Sequence, residues 1–149
     1  MTNTVSVLND LIETSKDGEM GFFKAAEDAT DPKLRTLFTN RANECANAAR
    51  ELQARVVELG GKAEDRGSVS GALHRGWVDV KSALTTRDNF AILAECEHGE
   101  DIAKKRYREA LDKDLPADVR SLIELQFQGV LQNHDRIREL RDQYAAIKS

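Results

Sequence analysis

Between residues 95 and 101 the chain reads ECEHGED. Six of these seven side chains, all but Gly99, can ligate a metal. Carboxylates bridge metal ions and balance their charge, while imidazole supplies a neutral nitrogen. Further candidates are spread along the chain: Glu19, Glu44 and His134, together with the thiols of Cys45 and Cys96. No Ser-His-Asp, Cys-His or phosphate-loop arrangement is evident. If this chain performs chemistry, carboxylates and one histidine on helices are the groups to do it.

The elements that must position them are helical. Apolar residues recur at helical spacing over about 4–29, 32–59, 88–112 and 116–147. Asp31 and Pro32 stop one helix and start the next, Gly60-Gly61 closes the second, and Asp114 and Pro116 open the last. A Gly/Ser-containing stretch, KAEDRGSVSG, follows the second helix. After it, Leu73, Trp77, Val80 and Leu84 predict a short amphipathic helix at about 70–85. Two short connections and one long one imply an all-α four-helix bundle of two antiparallel hairpins joined by a long crossover containing a short helix. The expectation is one domain over 1–149. Trp77 and its neighbours are expected to seat the crossover helix on the bundle, with a homodimer strip as the alternative.

At about 100° per residue, the phase of each helix decides which polar groups face inward. On the third helix Leu93, Cys96, Ala103, Tyr107 and Leu111 form the buried stripe, with Glu100 at its centre and Glu97 at its edge. Glu95 and His98 form a literal E-x-x-H yet point away. The same exercise centres Glu19 on the first helix and Arg41 on the second, with Glu44 at the edge. On the fourth, Gln126 and Asn133 lie near the centre and His134 at the edge. A polar layer at mid-height follows, costly unless it is hydrogen-bonded, ion-paired or metal-bound. Hairpin register pairs Glu19 with Arg41, and Glu97 with Asn133 and His134, as the metal-free arrangement.

Composition narrows the function. Charged residues make up 32% and the net charge is −4, with no basic stripe, so nucleic acid is not the expected partner. The start, MTNTVSVLNDLIE, shows neither an export signal nor an apolar span, so no membrane association and a cytoplasmic location are expected, with reduced thiols. Cys45 and Cys96 read as small buried hydrophobes, with a redox disulfide as the lesser alternative.

The stretches LNDLIETSKDGEMGF, SVSGALHRGWVDVKSAL, ECEHGEDIAKKRYREAL and GVLQNHDRIRELRD carry a resemblance. The chain resembles the ferritin-like superfamily, which includes ferritins and rubrerythrins. It is most similar to an uncharacterised bacterial ferritin-like four-helix family, catalogued as a domain of unknown function. The superfamily pattern implies a di-iron site: a glutamate on each of two helices and a Glu-x-x-His on each of the other two. By that resemblance Glu19, Glu44, Glu97, Glu100 and His134 are the candidate metal ligands, for iron, manganese or zinc. Asn47 stands where one histidine belongs and Leu131 where one glutamate belongs. Two readings follow. One is a non-catalytic, stress-associated module with a degenerate metal site. The other is a metal-binding protein with an atypical carboxylate/histidine site acting on dioxygen or peroxide.

Overall fold

The computed structural model describes residues 3–65 and 89–148, and the helix expected at about 70–85, with Trp77, lies outside them. The described residues form four α-helices and no strand: α1 Thr4–Asp28, α2 Pro32–Glu58, α3 Asn89–Leu111 and α4 Ala117–Lys148. Each boundary has a local cause. The Asn3 side chain accepts from the Ser6 amide at 3.0 Å and caps α1. Asp31 accepts from the Lys33 amide at 2.9 Å, and Pro32 opens α2 where its missing N–H is no loss. Gly60, at φ 78°, takes the left-handed conformation that ends α2.

Contacts at the helix ends fix the topology. Asn89, at the start of α3, accepts from the Thr30 amide at 3.1 Å and donates to its hydroxyl at 3.0 Å. Tyr144, near the end of α4, donates to Asp31. At the other end Arg55 meets Asp118 at 3.0 Å, and Asn9 holds the chain leaving α2 through Lys62 and Glu64. So α1 and α2 are antiparallel, as are α3 and α4, while α2 and α3 run parallel. The chain leaves α2 at one end of the bundle and re-enters α3 at the other. No helix among the described residues is long and apolar enough to cross a membrane.

The four helices stand at the corners of a square. α1 packs closely on α2, α3 on α4, and α1 on α3; α2 and α4 barely touch, and α2 and α3 face each other across the diagonal. Side-chain size explains the asymmetry. The α1–α2 seam buries Gly18, Gly21, Ala25 and Ala26 with Ala42, Cys45, Ala46 and Ala49, which lets the backbones approach. The α2–α4 seam instead carries Asn40, Glu44, Gln132, Asn133 and Arg136, whose polar ends remain near water.

The core divides at mid-height. One apolar cluster gathers Phe22, Phe38, Ile92, Leu93 and Ile137; the other gathers Leu8, Leu11, Ile12, Leu52, Val56 and Ile123. Each fully buried side chain of this size contributes about 1.5–3 kcal/mol. Between the clusters lie Ser15, Arg41, Glu97, Glu100 and His134, all buried.

The tight seam makes a sharp prediction. A Cβ at Gly18 would stand 2.9 Å from Cys45 Sγ. Gly18→Ala therefore destabilises by roughly 1–2 kcal/mol in urea unfolding, although alanine favours helix by about 1 kcal/mol. In a Cys45→Ala background the same change stabilises. A stabilising Gly18→Ala in the parent chain would contradict the packing.

Candidate functional site

The polar layer is organised by one ion pair across the diagonal. Arg41 of α2 and Glu100 of α3 are 8% and 2% exposed. Arg41 Nε donates to Glu100 Oε1 at 3.0 Å, and Nη2 lies 3.5 Å from Oε2. Asn133 of α4 donates to the same Oε1 at 3.3 Å. Arg41 also lies over the Phe22 ring, 6.0 Å from its centre, and Nη1 is 4.0 Å from Glu44. Burial alone would lower the affinity of the guanidinium for its proton. The Glu100 charge and hydrogen bond, with the nearby Cys45 and Glu44, together outweigh that and hold the group above its ordinary range.

The five candidate ligands go to different partners. Glu100 binds Arg41. Glu97 is buried and binds Arg141 of α4, leaving its Oε2 without a hydrogen bond. His134 is buried with Nε2 against Asp101, while Nδ1 is 3.5 Å from Asp135 and makes no hydrogen bond. Glu44 is 64% exposed at its side chain. Glu19, expected at the centre of its stripe, sits at the edge with 26% side-chain exposure, 3.9 Å from Lys16. Two expected pairings are thus corrected: Arg41 pairs with Glu100 rather than Glu19, and Glu97 with Arg141 rather than His134. The reason is geometric, because hairpin register ignores the diagonal and the long reach of arginine. His98 is exposed and Glu95 half-buried.

Among the described residues, no three His, Cys, Asp or Glu side chains are grouped to hold a metal ion. The described residues do not fit a di-iron centre: a guanidinium already neutralises Glu100, the most buried carboxylate among them, and the other candidate donors are separately engaged. Arg141 and Asp101 were not among the expected site residues. Arg141 was legible, since it follows His134 by two turns on the same face of α4.

Beside the ion pair is a cavity of about 200 Å³ lined by all four helices. Tyr107 of α3 donates to Gln126 Oε1 at 2.8 Å. Gln126 Nε2 in turn reaches the Ala48 carbonyl and Glu51, each at 3.3 Å, and so spans the loose α2–α4 seam. Burial raises the Tyr107 hydroxyl well above its ordinary range, against a smaller lowering by Ser15. Cys45 faces the cavity and is pushed up to about 12 by burial; Cys96 is raised by burial and by the nearby Glu100.

Both cysteines should therefore be inert thiols. At pH 8 a thiol titrating at about 12 is ionised to roughly one part in ten thousand. Alkylation of the folded protein by iodoacetamide is expected to be at least about a hundredfold slower than in urea. Because the folded values are raised above 9.0, the thiols support stability below that pH. That contribution is lost as pH climbs toward about 12. Labelling at the rate of a free thiol would contradict the burial.

Comparison with known proteins places this geometry in a family. No curated protein matches the chain. The sequence model of one family, described as a domain of unknown function (DUF2383), matches residues 3–113. That span covers α1, α2 and α3, with Arg41, Glu97, Glu100 and Tyr107, and stops before the α4 residues that complete the polar layer. The chain belongs to the DUF2383 family.

Proposed function

We propose that this chain is a ferritin-like helical bundle that does not itself catalyse a reaction, and that an arginine stands where a metal cation would balance the carboxylates. The observation that carries this reading is the position of Arg41. Its guanidinium lies 3.0 Å from Glu100 and 4.0 Å from Glu44, in the middle of the bundle. A guanidinium stays charged at any physiological pH and forms directional bonds to carboxylate. It supplies the positive charge without offering coordination positions at which dioxygen or peroxide could be activated. Arg141 does the same for Glu97 nearer the surface. The resemblance to ferritins supports the architecture, while the side chains depart from the ligand set.

The alternative, a carboxylate/histidine metal site, draws on one observation: Glu97 Oε2 and His134 Nδ1 are buried without hydrogen-bond partners. Both side chains are nevertheless bound at their other polar atom to separate partners, which favours the first reading.

Elemental analysis of untagged protein separates the two. The expected result is iron, manganese and zinc each well below stoichiometric, including after anaerobic loading with ferrous iron and desalting. Near-stoichiometric metal, lost in both Glu100→Ala and His134→Ala, would overturn the proposal.

A further inference from the structure

We infer that the mid-bundle cavity is a binding site for a small neutral aliphatic amide, held by N–H groups of Arg41 that no other residue uses. The inference goes beyond the bundle reading above and does not rest on it: metal content tests that reading, and ligand binding tests this one.

Arg41 carries more donors than its partners use. A guanidinium has five N–H groups in a fixed fork. Nε donates to Glu100 Oε1 and Nη2 reaches Oε2, while Nη1 lies 4.0 Å from Glu44, beyond a hydrogen bond. Among the described residues, both N–H groups of Nη1 are therefore without an acceptor, on a residue only 8% exposed. Arg41 and Glu44 line the same cavity, so Nη1 faces that space. Buried donors are costly when unmet, and an acceptor oxygen bound in the cavity would meet these.

Charge and shape then select the class. Arg41 already has two carboxylates within 4.0 Å, Glu100 and Glu44. An anion would add a third negative charge, and a cation would lie against the guanidinium itself. A neutral group avoids both. Its carbonyl oxygen accepts from Nη1, and an N–H beside that oxygen donates to a carboxylate of Glu44 or Glu100. A primary amide carries this acceptor and donor side by side, whereas a ketone lacks the donor. Ala48, Ala103 and Val130 give the same cavity short apolar walls, suited to an aliphatic stem. A void of roughly 150 Å³ holds benzene, so a cavity of about 200 Å³ admits an amide of similar size.

The test is an NMR titration of the full chain with butyramide at pH 7, with butyrate, n-butylammonium and 2-pentanone as controls of nearly the same shape. Butyramide should give saturable shifts at the amides of Gly18, Cys45 and Ala103. The Nε–H resonance of the Arg41 side chain should move with the same dissociation constant, which a ligand resting only on the apolar walls would not cause. Each control should bind at least about tenfold more weakly, the loss of roughly one hydrogen bond to a charged group. Gly129→Leu should abolish binding by filling the cavity, since a Cβ there meets nothing within 4 Å. Leucine also favours helix over glycine, and circular dichroism checks that this variant is folded. The inference is overturned if butyramide gives no saturable shift or leaves the Arg41 resonance unmoved. It is equally overturned if any control binds as tightly, or if a folded Gly129→Leu binds butyramide like the parent.

Discussion

A single buried ion pair across the bundle diagonal, Arg41 with Glu100, sets the terms for the rest of this structure. Two charges brought out of water cost several kcal/mol each unless their partners are well placed. Here the geometry supplies that placement from three helices, since α2 gives the guanidinium, α3 the carboxylate and α4 the Asn133 amide. The register is exact over a long span. Thr30 meets Asn89 at the bundle end with a separation of 59 residues, and Arg41 meets Glu100 with the same separation. Two parallel helices therefore stay in step over three turns, and sliding either by one residue would strand a buried charge.

The uneven packing around that pair has a simple origin. α2 presents small residues to α1 and long polar ones to α4, so it leans toward α1 and, among the described residues, barely touches α4. Apolar clusters above and below close the two ends, while the middle keeps a cavity beside the ion pair. A hydrogen-bonded chain from Tyr107 through Gln126 to Glu51 substitutes for the apolar contact that α2 and α4 lack. The bundle is held across its diagonal, so among the described residues the α2–α4 side can remain loosely packed.

Much of this could be read from the chain before its structure. Glycine, proline and aspartate punctuation gave the helices, and the periodicity of α3 pointed Glu97 and Glu100 inward while leaving His98 in water. The mid-height polar layer was legible too, because Arg41, Glu100 and His134 fall near the buried stripes of their helices. Their partners were not. Periodicity reports which face a residue occupies on its own helix, but partner choice depends on the order of helices around the square. Side-chain reach mattered as well: an arginine spans a diagonal that hairpin register never considers. Glu19 was misplaced for a smaller reason. Its stripe is wide, because Gly18 and Gly21 on the α2-facing side share the burial, and that moves Glu19 to the rim.

The measurement that bears most directly on the diagonal ion pair is a double-mutant cycle by urea unfolding with Arg41→Met, Glu100→Leu and the pair together. Each single change should destabilise by roughly 3–5 kcal/mol, because it leaves a buried charge without its partner. The double variant should cost far less than the sum, with a coupling of at least about 2 kcal/mol. Additive single effects would contradict the central role of Arg41–Glu100 and leave the apolar clusters as the whole source of register.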